Sequence, residues 1–120
     1  MHRTFALIGA LAGVIGVALG AFGAHALRSR LTPEMLAVFE TGVRYQMYHA
    51  LALLAVAALA PSVGGRLSTI AGWSFAGGIL LFSGSLYLLA LTDLRALGAI
   101  TPVGGVLFLI GWACLAIASI

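Results

Sequence analysis

The chain has 120 residues, of which 62% are hydrophobic and only 8% are charged. A water-soluble domain normally has about a quarter of its residues charged, so this composition excludes an ordinary soluble protein and indicates one domain embedded in lipid. The net charge is +3, but the basic residues are all arginines scattered at the ends of apolar runs, which excludes the clustered basic face of a nucleic-acid-binding protein.

The first predicted element is an apolar helix over about residues 4–27. Backbone polar groups in lipid must be paired internally, so helices are the expected structure of such runs. Glycines recur along it at alternating steps of four and three, within about 80° of arc on a helical wheel. These glycines are Gly9, Gly13, Gly16, Gly20 and Gly23. The stripe predicts close packing within the chain, with self-association through the first helix as the alternative.

The first run also has features of a secretory signal, with Arg3 near its start and AHA at 24–26. Its apolar stretch is longer than the core of a usual signal. We therefore expect a retained helix rather than a cleaved segment.

A second helix is predicted over about residues 33–60. Thr32 and Pro33 suit its start, because threonine caps free N–H groups and proline fits the first helical position. The helix is about 42 Å long at the α-helical rise and exceeds the roughly 30 Å hydrocarbon core. Its first turns, which have one polar and one apolar face, are therefore expected at the interface.

Most of the candidate functional residues lie in FETGVRYQMYHALALL at 39–54. Glu40 and Arg44 have the spacing of a helix ion pair, with a headgroup contact as the alternative for the arginine. Tyr45 and Tyr48 suit the membrane interface. The other members of this predicted polar cluster are Thr41, His49 and, at the end of the first helix, His25, while Gln46 breaks the pattern of faces.

His49 is the least expected of these residues, because ionisable groups inside a membrane are costly and default to a functional hypothesis. If hydrocarbon begins near Val43, His49 lies about 9 Å inside it, and His25 is predicted to approach the same depth. One interpretation is a neutral histidine bonded to a neighbouring hydroxyl or carbonyl. The alternatives are a proton-accepting site and a metal or haem ligand pair. Two histidines without a nearby thiolate are a weak metal signal, and we predict no bound metal or cofactor.

Two further helices are predicted, over about residues 68–92 and 99–120. A Pro/Gly turn at 61–66 precedes the third helix, which presents small residues on one side. These residues are Ala71, Ser74, Gly78 and Ser85. Thr101 and Pro102 predict the start of the fourth helix in the way that Thr32 and Pro33 do for the second.

No nucleophile–base pair, P-loop or paired-carboxylate site is recognisable, so no enzyme activity is predicted. Ser83 and Ser85 are expected to bond to backbone within the bundle. Asp93 and Arg95, in the joint before the fourth helix, are expected to form a solvated pair, with a polar cap over the histidines as the alternative. Cys114 is the only cysteine, which excludes an internal disulfide and a thiolate zinc cluster.

The arginines predict the orientation, because cytoplasmic loops carry more Lys and Arg. Arg3 and Arg66 mark one side of the membrane. The other side holds Arg28, Arg30, Arg44 and Arg95. This bias places the joints of the second group in the cytoplasm and both termini outside. Abundant Ala, Gly and Arg without lysine suggest a GC-rich bacterial genome, and hence a bacterial cytoplasmic membrane.

Four segments of the chain resemble one family. GAFGAHAL (20–27) and FETGVRYQMYHALALL (39–54) resemble the opening half of the small membrane family called domain of unknown function 423, and GGILLFSGSLYLLALT (77–92) and TPVGGVLFLIGW (101–112) resemble its second half. That family is similar to eukaryotic transmembrane protein 256. The matching positions are Gly20, Gly23, His25, Thr41, Gly42, Tyr45, His49, Ser83, Gly84, Ser85, Pro102 and Gly104. The resemblance implies a four-helix integral membrane protein and implies no established activity.

The expected fold is an all-α integral membrane four-helix bundle, a single domain over residues 1–120, with an interfacial amphipathic segment leading into the second helix. The leading hypothesis is a non-enzymatic structural or accessory component of the membrane that contacts lipid, forms a homo-oligomer or joins a larger complex, and binds no nucleic acid. The alternative is a small transporter or channel for protons, ions or a small solute. Its polar contacts would be His25, Glu40, Arg44 and His49.

Overall fold

The computed structural model describes residues 2–120, which form four long helices and no strand. The helices are α1 at His2–His25, α2 at Pro33–Val63, α3 at Arg66–Thr92 and α4 at Thr101–Ala118. A short 3₁₀ helix, Arg95–Ala99, precedes α4. Each of the four helices, the last taken with its 3₁₀ turn, is long and apolar enough to cross a membrane. The predicted all-α membrane fold is confirmed.

The start of α2 follows its local sequence. The backbone N–H of Met35 donates a hydrogen bond to Thr32 Oγ1 at 3.2 Å, and Pro33 lies in the first turn. The predicted cap is therefore confirmed. Glu34 in the same turn is stabilised by the positive end of the helix dipole.

The other helix ends differ from the sequence pattern. α2 continues past Pro61 to Val63, because a proline in the last turn removes only one hydrogen bond. The chain then turns at Gly65, whose φ of 91° favours glycine. α4 begins at Thr101 and Pro102 as predicted, but Thr101 is its first residue and does not cap it, and the threonine hydroxyl lies 2.6 Å from that of Ser85.

α3 contains a π-helical turn at Ile79–Ser83 that the sequence does not predict. The extra residue of this turn separates the successive buried positions Gly78 and Ser83 by five residues, where an α-helix separates them by three or four. As a result Phe82 is directed at α4, whereas the hydroxyl of Ser83 donates to the Gly42 carbonyl of α2 at 2.6 Å.

The helices associate as two antiparallel pairs, α1 with α2 and α3 with α4, and α2 also packs on α3. The register of the first pair is set by Gly9 against Ala50 and by Gly23 against Phe39. The larger apolar core lies where all four helices meet, around Val56, and includes Phe5 of α1.

The glycine stripe of α1 faces α2 at four of its five positions. Gly9 lies against Ala50, Gly16 against Met47, Gly20 against Val43 and Gly23 against Phe39. At Gly13, in contrast, an added Cβ would meet no atom within 4 Å. The stripe therefore packs mainly within the chain, and Gly13 is its open position.

The α3–α4 pair uses its glycines as notches for aromatic rings. The ring of Phe75 fits against Gly111 and that of Phe108 fits against Gly78, whereas Gly104 lies against the backbone of Phe82. The small residues predicted on one side of α3 are all buried, namely Ala71, Ser74, Gly78 and Ser85. Helix packing in this pair thus combines rings seated against glycines with a close backbone contact at Gly104.

Candidate functional site

The centre of α2 lies inside the hydrocarbon core when the helix crosses the whole of that layer. The helix has 31 residues and is about 46 Å long, whereas the hydrocarbon core is about 30 Å thick. Tyr48 is the central residue of α2, so it stays at least about 6 Å from either hydrocarbon surface wherever that layer lies along the helix. Tyr48 and the adjacent His49 are therefore surrounded by lipid or by protein.

His49 is buried, with 4% of its surface exposed, and both ring nitrogens have partners. Nδ1 lies 2.7 Å from the carbonyl oxygen of Tyr45, and the indole N–H of Trp112 donates to Nε2 at 3.1 Å. Because an indole N–H only donates, Nε2 is the acceptor and Nδ1–H donates to the carbonyl. The ring also stacks on Phe108, with centroids 3.5 Å apart. These are the contacts of a neutral histidine.

His25 does not lie near His49. The contact of Gly23 with Phe39 places His25 beside about residue 37 of α2, roughly 18 Å from His49 along the helix axis. His25 is also exposed. The prediction that the two histidines approach the same depth is wrong. The register of α1 on α2 separates them, and the sequence of neither helix alone determines that register. In this arrangement they cannot form a ligand pair for a metal or haem.

Glu40 and Arg44 are exposed and are absent from the ion pairs that residues 2–120 form. They line a small notch of about 240 Å³ with Gly20 and Gly23 of α1. Their i,i+4 spacing therefore does not produce the predicted pair. Thr41, also in the predicted cluster, donates to a backbone carbonyl one turn earlier at 2.9 Å.

The charged groups that do pair lie at the end of the bundle. Arg95 contacts Asp93 at 3.1 Å and Glu34, in the first turn of α2, at 3.2 Å. The predicted solvated pair is present and includes Glu34, and these side chains are about two-thirds exposed. The contact ties the joint before α4 to the start of α2 and involves no histidine.

Gln46 forms the main polar link among three helices, although the sequence marks it only as an exception to the pattern of faces. It is 4% exposed. Its side-chain amide N–H donates to the carbonyl of Ala12 on α1 at 2.8 Å, and its Oε1 accepts from the hydroxyl of Tyr87 on α3 at 2.6 Å. An amide side chain among apolar residues inside a membrane helix needs a hydrogen-bond partner. That requirement was the signal in the sequence by which Gln46 could have been identified as a linking residue.

Two grooves open on the sides of the bundle. The first, which we call the amide groove, has a volume of about 500 Å³, lies between α1 and α3, and includes Gln46 and Tyr87 in its lining. The second, which we call the tyrosine groove, has a volume of about 400 Å³ and lies on the other side. Its lining residues are Tyr45, Tyr48, His49, Phe82, Gly105, Phe108, Leu109 and Trp112.

The buried polar side chains form their hydrogen bonds within the chain. No buried side-chain nitrogen or oxygen in residues 2–120 lacks a hydrogen-bond partner. Within the same residues, no three His, Cys, Asp or Glu side chains lie close enough to hold a metal ion. The chemistry that the site offers is therefore hydrogen bonding and aromatic packing.

Four helices of membrane length with internally paired polar groups define a multi-pass integral membrane protein. Residues 19–105 match the family described as "Protein of unknown function (DUF423)". The chain belongs to this family, as its motifs predict.

Relatives of known name match almost the whole chain. The UPF0382 membrane protein YwdK of Bacillus subtilis (strain 168) is 49% identical over 119 residues, which cover 98% of this chain and 97% of the relative. The UPF0382 membrane protein SSP2132 of Staphylococcus saprophyticus is 46% identical over 117 residues, with 98% and 97% covered. The UPF0382 membrane protein SERP0230 of Staphylococcus epidermidis is 47% identical over 118 residues, with 98% and 96% covered. No solved structure matches the chain. These names establish a membrane protein and assign no activity.

Proposed function

We propose that this protein is a non-enzymatic structural or accessory component of the membrane, with a polar interior that fixes the register of its helices. The observation that supports this most is that the buried side chains of His49 and Gln46 are hydrogen-bonded to groups of the same chain. A route for a solute needs polar groups that exchange partners, whereas these two side chains bond to the backbone and to aromatic side chains of the same chain. Buried polar groups of this kind give helix bundles a specific arrangement.

The component acts in a homo-oligomer or in a larger membrane complex. Gly13 supports this, because an added Cβ there would meet no atom within 4 Å and the nearby side chains of Val14 and Val17 are exposed. Small residues on a lipid-facing surface allow another helix to approach closely.

Purification from native membranes tests this proposal. The protein, expressed at its native level and extracted in a mild detergent, is expected to elute with a partner or as an oligomer when its mass is measured by light scattering. The matched control is the same preparation after transfer to a harsh detergent, which is expected to release the monomer. A partner-free monomer in the mild detergent would contradict the proposal.

The transporter alternative requires His25, Glu40, Arg44 and His49 along one route. Their contacts do not favour it: Glu40 and Arg44 line a notch beside α1, whereas His49 faces α4. Proteoliposomes with a pH-sensitive dye inside test the point for protons, and ion-sensitive dyes test it for ions. We expect the same flux as in protein-free liposomes, and a higher flux would favour transport over the structural role.

We also propose the cytoplasmic membrane of a bacterium as the location, with both termini outside. Arg3 and Arg66 lie at one end of the bundle, and Arg28, Arg30 and Arg95 lie at the other, so the excess of arginine favours the second end as cytoplasmic. An alkaline phosphatase fusion at the C-terminus is expected to be active and a fluorescent protein fusion dark. The reverse result would invert the orientation.

A further inference from the structure

Two of the chain's tyrosines, Tyr45 and Tyr48, line the tyrosine groove. Tyr48 is the central residue of α2, and Tyr45 lies one turn before it. They are 53% and 37% exposed, and neither hydroxyl takes part in the side-chain hydrogen bonds of residues 2–120. The hydroxyl of Tyr87, in contrast, donates to Gln46 at 2.6 Å. Since hydrocarbon offers no acceptor, an unpaired hydroxyl there is costly.

The walls around these hydroxyls are aromatic. The ring centroid of Tyr45 lies 4.7 Å from that of Phe82 and 5.6 Å from that of Tyr48. Trp112, on the α4 wall, is 46% exposed. Gly105 keeps that wall open, since an added Cβ would first meet the Phe82 ring at 3.8 Å. The volume of about 400 Å³ falls within the usual range of small-molecule sites, roughly 300–1,000 Å³.

The polar groups that remain available in the groove are two phenol hydroxyls, each of which can donate one hydrogen bond. His49 and Trp112 are already bonded to each other, so the hydroxyls of Tyr45 and Tyr48 are the groups left for a ligand. Aromatic walls favour a flat ring, because offset and edge contacts between rings are stabilising. A hydroxyl donor favours a carbonyl oxygen, and the position inside the membrane favours a ligand that dissolves in lipid.

We propose that the tyrosine groove binds a planar, membrane-soluble molecule with hydrogen-bond-accepting oxygens, of the chemical class of the prenylated quinones. Tyr45 and Tyr48 donate to its carbonyl oxygens, and the rings of Phe82 and Trp112 contact its faces or edges. This site goes beyond the structural role proposed above. Binding of a ligand does not require a complex, so the two proposals are tested by separate experiments.

Other occupants fit the groove less well. A second copy docked symmetrically would bring two identical concave surfaces together and leave a void, which close-packed interfaces avoid. Lipid acyl chains supply no acceptor for the hydroxyls of Tyr45 and Tyr48. They suit the amide groove, where Gln46 and Tyr87 already satisfy each other.

Tryptophan fluorescence measures the binding, because each groove contains one of the chain's two tryptophans. The Trp73→Phe variant keeps Trp112 in the tyrosine groove, and the Trp112→Phe variant keeps Trp73 in the amide groove. Both are reconstituted in lipid nanodiscs and titrated with decylubiquinone, with decanol as the probe that lacks the ring. We expect saturable quenching of Trp112, only non-saturating quenching of Trp73, and no quenching by decanol.

Conservative substitutions then test the hydroxyls in the Trp73→Phe background. Tyr45→Phe and Tyr48→Phe should each raise the Kd of decylubiquinone by about 2- to 10-fold, the range for one hydrogen bond to an uncharged acceptor. The matched control is Tyr87→Phe, which removes the same atom in the amide groove and should leave the Kd unchanged.

Three results would overturn the proposal. The first is quenching of Trp112 that does not saturate, and the second is a Kd that changes equally in the Tyr48→Phe and Tyr87→Phe variants. The third is an efficient disulfide between two copies carrying Tyr48→Cys and Cys114→Ser in native membranes, because it would place a second copy on the groove.

Discussion

The two helix pairs of this protein both depend on glycine, but they use it differently. In the α1–α2 pair, an added Cβ at Gly9 would meet the carbonyl oxygen of Ala50 at 2.9 Å, so the glycine admits the neighbouring backbone. In the α3–α4 pair, an added Cβ at Gly111 would meet the ring of Phe75 at 2.6 Å, so the glycine admits an aromatic side chain. Backbone and ring contacts occur in both pairs, because Gly23 of α1 also admits the ring of Phe39 and Gly104 of α4 admits the backbone of Phe82, but rings are more frequent in the α3–α4 pair.

The pairs are joined by the apolar core and also by two polar links. Gln46 of α2 joins Ala12 of α1 to Tyr87 of α3, and His49 of α2 accepts from Trp112 of α4. Apolar contacts in lipid are not directional, whereas a hydrogen bond to one particular oxygen or nitrogen fixes a register. Glycine contacts also lie between the pairs, at Gly42 against Tyr87 and at Gly72 against Phe5, so we infer that the polar side chains add a specific register to glycine and apolar packing.

The largest effect of a substitution is expected in the α3–α4 pair, at Gly104. Its added Cβ would meet the backbone N and Cα of Phe82, which cannot move independently of the helix. Gly104→Ala should therefore lower the free energy of unfolding by about 1–3 kcal/mol. Reversible unfolding in a mild detergent, followed by circular dichroism, measures this change.

Gly105→Ala is the matched control for that variant. Its nearest atom would be Cδ2 of Phe82 at 3.8 Å, an ordinary contact, so the stability should stay equal or rise by up to about 1 kcal/mol through helix propensity. Equal losses for the two neighbouring glycines would contradict the close approach of Gly104 to the Phe82 backbone.

The second effect separates the two interpretations of the α1 stripe. Gly9→Ala should cost about 1–2 kcal/mol, because its Cβ would meet Ala50 and also Leu53 at 3.1 Å. Gly13→Leu should leave the unfolding free energy nearly unchanged, since no atom lies within 4 Å of its added Cβ. Unfolding and crosslinking in native membranes are measured for both variants. A loss of crosslinking in Gly13→Leu alone would mark an intermolecular contact, and a loss of stability there would contradict the open position.

The third effect concerns the link between the pairs. Gln46→Leu removes two hydrogen bonds and leaves the Tyr87 hydroxyl without its acceptor, for an expected loss of about 0.6–1.7 kcal/mol. The double variant Gln46→Leu with Tyr87→Phe should lose less than the two single losses added together, because no unpaired group remains. Additive losses in the double-mutant cycle would mean that the two side chains are not coupled.

The sequence predicts this fold because its strongest signals are local. Apolar runs of membrane length and the Thr32–Pro33 start act within one helix, and the structure has both. Thr101 carries the same local signal, but Ser85, sixteen residues away in sequence, takes its hydroxyl instead. A local pattern therefore holds only where no distant partner competes for the same group.

The site was less predictable because its partners are distant in sequence. The wheel of α2 separates Gln46 from the polar face but does not show that Ala12 and Tyr87 meet it, across 34 and 41 residues. The π-helical turn that directs Phe82 at α4 has no signature in the sequence either. His49 was recognisable as a candidate, whereas its partner Trp112, 63 residues later, depends on packing that involves all of α2, α3 and α4.

The smallest effect is expected at the surface link between the two pairs. Arg95, before α4, contacts Glu34 of α2 at 3.2 Å with both side chains about two-thirds exposed. Exposed ion pairs contribute little, because water and salt screen them and ordering two long side chains costs entropy. Arg95→Ala should therefore leave the unfolding free energy unchanged within measurement error, at low salt and at 1 M salt alike. A salt-sensitive loss as large as that of Gln46→Leu would show that the charged end of the bundle, rather than its internal amide, holds the two pairs in register.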